Sequence, residues 1–121
     1  MKKIMVVDDE ESLRELARAI FENEGFEVID ASSGAECLQK LNKVKPDVIL
    51  MDMMMPGMSG REATEKIRQN PATKDLKVVF LTVARFSETG KETLEKLNVS
   101  DYITKPFDNE ELVKRIKKML G

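Results

Sequence analysis

Five apolar runs of strand length recur along the chain: KIMVV at 3–7, FEVID at 26–30, DVILM at 47–51, LKVVFL at 76–81 and a short VSDYI at 99–103. Helical spacing fills the intervals. Leu13, Leu16, Ala17 and Ile20 form the first apolar stripe, and Leu38 with Leu41 the second. Ala63 with Ile67 and Leu94 with Leu97 form the third and fourth, and Leu112, Val113, Ile116, Met119 and Leu120 the fifth. Strand and helix alternate five times across short loops, which predicts an α/β fold: a parallel sheet with five helices covering both faces. Runs one, three and four are almost wholly apolar, as central strands are. Runs two and five carry more polar residues, as edge strands do. Right-handed crossovers allow the doubly wound order 2-1-3-4-5 for the five-stranded sheet.

Ser33 with Glu36, Ser59 with Glu62 and Asp108 with Glu111 have the spacing of capping boxes. Phe107 is placed to staple onto Leu112. The fourth helix is the weak one, since Gly90 interrupts it and Thr89 and Thr93 flank it. Gly57 and Gly60 read as turn glycines.

A chain of 121 residues, 41% apolar and 35% charged, suits one compact domain spanning 1–121. A single cysteine rules out an internal disulfide, and Cys37, beside Leu38, reads as a small buried hydrophobe. No apolar run approaches membrane-span length, and MKKIMVVDDEE turns acidic too early for a secretory signal, so the expected location is cytoplasmic. With no histidine in the chain, histidine zinc ligands and a histidine general base are excluded. Neither a Walker-type loop nor a dinucleotide fingerprint is present, and no nucleic-acid-binding module is recognisable.

In a doubly wound sheet the functional crevice lies beyond the carboxyl ends of the strands. The first run leads there into Asp8, Asp9 and Glu10, the third into Asp52, the fourth into Thr82 and the fifth into Lys105 and Pro106. The predicted order sets strands one and three side by side, so Asp8 and Asp9 face Asp52. Such a carboxylate cluster is strongly self-repelling unless a cation sits in it. An all-oxygen donor set points to a hard divalent ion, Mg2+, over zinc or copper. Lys105 and Thr82 are placed to hold phosphoryl oxygens, and Asp52 is the candidate nucleophile. Against this stands a plain reading of Asp8, Asp9 and Glu10 as a solvated acidic helix start. The methionines around Asp52 read as core and loop filler.

The pieces VVDDE at 6–10, VILMDMMMPGMSG at 48–60, LT at 81–82 and DYITKPF at 101–107 together closely resemble the receiver domain of two-component response regulators. The resemblance runs nearly end to end and implies a flavodoxin-like fold. It implies that Asp52 is phosphorylated by a histidine kinase or a small phosphodonor. Asp9 and Asp52 would ligate Mg2+ directly together with the backbone carbonyl of Met54, and Asp8 through a water. Thr82 and Lys105 would bind phosphoryl oxygens, and Thr82 with Tyr102 would form a switch pair. The Lys105–Pro106 peptide would be cis. Tyr102 as mere edge-strand packing remains the competing reading.

A switch of this kind catalyses its own phosphorylation and dephosphorylation without turnover on external substrates. Its output is a changed affinity for a downstream protein on the face formed by the fourth helix, fifth strand and fifth helix. Resemblance to the single-domain regulator of chemotaxis makes chemotaxis the first expectation for its role in signal transduction. A phosphorelay intermediate or the excised receiver of a larger regulator is the alternative. From another class, an aspartate-nucleophile phosphohydrolase remains; it wants a second aspartate two residues after the first, where this chain has Met54. Met54, Val83 and Ala84 flank the site with apolar groups, which predicts slow loss of the phosphoryl group. The competing reading has Val83 merely packing and Arg85 reaching back.

Overall fold

The computed structural model describes residues 2–83 and 94–120. Five parallel strands, β1 (Lys3–Val7), β2 (Glu27–Ala31), β3 (Val48–Asp52), β4 (Lys77–Thr82) and β5 (Asp101–Thr104), form one sheet in the order β2-β1-β3-β4-β5. Among the described residues the helices are α1 (Glu11–Asn23), α2 (Gly34–Lys40), α3 (Gly60–Gln69) and the last helix, α4 (Asn109–Leu120), and residues 94–96, in the stretch where Leu94 and Leu97 predict a helix, are helical as well. The expected order and the expected edges are both found: the polar runs β2 and β5 lie outermost. The predicted interruption at Gly90 and the loop around Ala84 and Arg85 lie outside the described residues.

Successive strand residues feed opposite faces, which explains why the central strands need uninterrupted apolar sequence. Ile4, Val6, Val48, Leu50, Val79 and Leu81 pack with Ala17 and Phe21 of α1 and Leu112 and Ile116 of α4. Met5, Val7, Ile49, Met51, Val78 and Phe80 pack with Cys37 of α2 and Ala63 and Ile67 of α3. Burial pushes the Cys37 thiol up to about 12, so it is a hydrophobe at neutral pH, as its neighbours in sequence suggest.

The stripe expected on α1 needs one correction. Leu16 is exposed, and the buried positions are Ala17 and Phe21. At 100° per residue Leu16 lies well to one side of the arc centred on Ala17, whereas Phe21 is one turn further along that arc. The chain then turns at Gly25, whose φ of +89° is open to glycine at little cost, and Phe26 folds back edge-on against Phe21 at 5.9 Å. Of the three capping boxes expected, Ser59 and Glu62 form a complete one. Ser33 caps Glu36, but the Glu36 carboxylate accepts from Ser32 instead. Asp108 accepts from the N–H of Glu110, one residue short of the expected Glu111. Phe107 packs in the same apolar layer as Leu112.

Candidate functional site

The strands deliver their acids to one edge. Val7 is in register with Met51, so Asp8 and Asp52 emerge side by side. Asp8 is 0% and Asp52 3% exposed, while Asp9 faces solvent. A carboxylate oxygen from each of Asp8, Asp9 and Asp52 lies within 4.8 Å of the others. The donors are all oxygen, the group is anionic and one of its members is open to solvent. That set fits a hard divalent cation with room left for water.

Lys105, arriving from the end of β5, crosses to this cluster. Its Nζ donates to Asp8 Oδ2 at 2.9 Å and lies 3.5 Å from Asp52 Oδ1. The Lys105–Pro106 peptide is cis. The Lys105 N–H donates to the Thr82 carbonyl at 2.6 Å, which ties the lysine's backbone to the end of β4. Thr82 is buried beside this contact.

The two acids at the strand ends have different surroundings. Asp8 Oδ1 accepts from the N–H of Glu10 at 2.9 Å. Asp52 Oδ1 accepts from the N–H of Met54 at a longer 3.2 Å. Burial is the main cause that pushes Asp52 up to about 6, and the charge of Asp8 adds to it; the Met54 N–H and the Lys105 charge pull the other way. For Lys105 burial favours the neutral amine, but the bond to Asp8 and the charges of Asp8 and Asp52 outweigh it, so its pKa is raised.

The DMMMPGMSG segment after β3 folds back on its own start. The N–H of Gly60 donates to the Met53 carbonyl at 3.2 Å, and the Met53 N–H donates to Leu81 at 3.0 Å. The reading of Gly60 as a turn glycine needs correcting. Gly57, at φ +76°, is the turn residue, while Gly60 opens α3 pressed against the Asp52 carbonyl. A Cβ on Gly60 would meet that oxygen at 2.1 Å. The need there is for space, not for a left-handed backbone.

Met54 and Val83, at 70% and 67% exposed, stand out at the ends of β3 and β4 as apolar side chains facing water. Tyr102 is half-buried in β5, in register with Phe80, and packs against the layer that includes Met51 and Phe80. Its carbonyl accepts from Arg115 Nη1. One neighbour of the site went unread in the sequence. Arg14, in the first turns of α1, donates from Nη1 to the Asp8 carbonyl at 2.8 Å. An arginine whose partner is a main-chain oxygen leaves no motif to find.

The comparisons with known proteins bear on this arrangement. Residues 4–117 match the profile of the response regulator receiver domain. The chain is 41% identical over 120 residues to the phosphate regulon transcriptional regulatory protein PhoB of Rhizobium meliloti, covering 99% of this chain and 52% of that protein. It is 40% identical over 119 residues to the alkaline phosphatase synthesis transcriptional regulatory protein PhoP of Bacillus subtilis, covering 98% of this chain and 48% of that one. The chain thus spans about half the length of the curated relatives it matches. Among solved structures, the chemotaxis protein CheY4 of Vibrio cholerae superposes with a TM-score of 0.91 at 31% identity, covering 98% of each chain. The N-terminal domain of a response regulator receiver protein from Methanoculleus marisnigri gives 0.83 at 35% identity, covering 100% of this chain and 98% of that one. With the profile matched over most of its length, the chain belongs to the receiver domain family of two-component response regulators.

Proposed function

We propose that Asp52 is the phosphoacceptor of a Mg2+-dependent switch. The observation that carries the reading is the convergence of Asp8, Asp9 and Asp52 oxygens within 4.8 Å, with the Lys105 ammonium reaching into them. Asp9, Asp52 and the Met54 carbonyl would hold the ion, with Asp8 acting through a water. A magnesium ion bound there offsets carboxylate and phosphoryl charge. An Asp52 carboxylate oxygen attacks the phosphorus of a kinase phosphohistidine. The new O–P bond forms as the P–N bond breaks, and the imidazole leaves with that electron pair. Burial that raises Asp52 to about 6 also makes its anion a stronger base, hence a better nucleophile once ionised at neutral pH. Lys105 pairs with a phosphoryl oxygen, and the Thr82 hydroxyl donates to another. Excluding bulk water around Asp52 slows hydrolysis of the product.

Thr82 and Tyr102 are the proposed switch pair. Inward movement of the threonine opens room behind it for the aromatic ring, and the altered face around β5 and α4 changes affinity for a protein partner. Two outputs are supported by different observations. Sequence identity favours the receiver of a transcriptional regulator, since PhoB and PhoP bear that name. The near-complete overlap with Vibrio CheY4 supports a chemotaxis role, which we place second. Turnover on external phosphomonoesters is disfavoured, because Met54 cannot move a proton two residues past the nucleophile.

Intact-mass analysis after acetyl phosphate and magnesium tests the core of the reading. One phosphoryl group is expected on the parent and none on Asp52→Ala. Uptake by the substituted protein at the parent rate would overturn the assignment. Magnesium titration should weaken in Asp9→Ala.

A further inference from the structure

We infer that Arg14 is a positioning residue for the metal site, acting through the peptide between Asp8 and Asp9. The inference rests on the reading of this cluster as a magnesium site. Among the described residues Arg14 makes no hydrogen bond or ion pair to a carboxylate of the cluster. Its Nη1 holds the Asp8 carbonyl at 2.8 Å, and its Nε lies 3.4 Å from Asp30 Oδ2 at the end of β2. The side chain is only 15% exposed, so the guanidinium is packed in place. The Asp8 N–H donates to the Ala31 carbonyl at 3.1 Å. Its carboxylate is held by Glu10 and Lys105. Arg14 therefore grips the one remaining polar group of Asp8.

That grip has a consequence one residue on. The Asp8 carbonyl belongs to the same planar peptide as the Asp9 nitrogen. Fixing its direction fixes where the chain carries Asp9, the exposed member of the carboxylate cluster. Among the described residues the Asp9 side chain has no hydrogen bond or ion pair of its own that would do this. Asp30 anchors the guanidinium, and Arg18 reaches the same carboxylate at 3.3 Å while its Nη1 donates to the Val28 carbonyl and lies 3.4 Å from Glu22 Oε2. Arg18 thus shares the Asp30 anchor with Arg14 but has no bond to the Asp8 peptide. The two arginines form an internal control.

Magnesium affinity measured by calorimetric titration separates them. Arg14→Met should weaken magnesium binding about tenfold, the scale on which outer partners tune a metal site. Arg14→Lys, which can still reach the carbonyl with a single donor, should recover part of the loss. Arg18→Met should stay within about twofold of the parent. In acetyl phosphate labelling, Arg14→Met should need more magnesium for half-maximal rate and regain the parent rate at saturation. Should Arg14→Met fail to fold by circular dichroism, Arg14→Gln is read by the same criteria. An Arg14 variant that is folded and binds within twofold of the parent would overturn the inference. So would an equal loss in Arg18→Met, or a labelling deficit that saturating magnesium leaves in place. Failure of the parent to bind magnesium, or full binding by Asp9→Ala, marks failure of the site reading itself and is seen without any Arg14 variant.

Discussion

The ends of β1 and β3 lie side by side, and each buries an aspartate under the same roof. Asp8 accepts two bonds of 2.9 Å, one from the Glu10 N–H and one from Lys105. Asp52 has a 3.2 Å bond from Met54 and a Lys105 contact of 3.5 Å. Burial is the main cause that raises Asp52, and its more distant donors offset that burial only in part. Lys105 leans toward Asp8, and Asp52 is left with its ionised form poorly compensated, up to about 6. The β1 end is a fastened support. The β3 end keeps unused acceptor capacity where a cation and a phosphoryl group would find it.

The strongest way to break this asymmetry is to remove the shared cation. Lys105→Met should lower the stability of metal-free protein by about 3 kcal/mol at neutral pH, because two buried carboxylates lose their ammonium. The loss should shrink toward about pH 5, where Asp52 is expected to carry a proton. Urea denaturation with a chelator present measures both. A loss independent of pH would show that packing of the lysine stem, not charge, matters there.

Gly60→Ala attacks the β3 end alone. Its Cβ would lie 2.1 Å from the Asp52 carbonyl, which is backbone and gives little. A destabilisation of about 2–3 kcal/mol is expected, with slower acetyl phosphate labelling because the acceptor is displaced. Labelling at the parent rate would mean that the loop shifts and leaves Asp52 in place.

Asp52→Asn sharpens the comparison in the opposite direction. An ordinary aspartate takes its proton near 3.8 and folded Asp52 near 6. Between those values the folded chain holds more protons than the unfolded one, so metal-free stability falls as pH rises through the window. The cost is fully present above about 6. Replacing the carboxylate should therefore raise metal-free stability by about 2 kcal/mol near neutral pH, with the gain vanishing below about pH 4. Destabilisation by Asp52→Asn at neutral pH would show that Lys105 compensates Asp52 as well as it does Asp8.

Ser59→Ala is the smallest of these changes. It removes the α3 cap, at a cost of about 1 kcal/mol, one residue before Gly60. Thermal melts should register it while labelling of Asp52 stays within about twofold. A labelling defect as large as that of Gly60→Ala would assign the glycine effect to the start of α3 as a whole.

Much of the scaffold was legible because its causes are local. A strand buried on both faces must be apolar along most of its length, and the runs at 3–7, 47–51 and 76–81 are, with Lys3, Asp47 and Lys77 confined to their first two positions; their observed bounds differ by one residue at most. The miss at Leu16 has a local cause too, since four apolar residues within eight leave the centre of the stripe ambiguous until a partner surface is known. Ser59 and Glu62 formed their box, whereas Glu36 found Ser32, because a flexible carboxylate takes the nearest suitably directed N–H. The acids at the strand ends could be gathered on paper, because strand order 2-1-3 makes the ends of β1 and β3 neighbours.

The sequence by itself determined the alternation of strands and helices, the polar edges of the sheet, and the delivery of Asp8, Asp9, Asp52, Thr82 and Lys105 to one crest. Each follows from periodicity or from position at a strand end. Tertiary structure alone decided that Lys105 leans to Asp8, that Asp52 is pushed toward 6, that Gly60 must be bare beneath the Asp52 carbonyl, and that Arg14 holds the peptide ahead of Asp9. Those outcomes depend on distances of tenths of an ångström and on main-chain oxygens, which every residue carries and no sequence pattern marks.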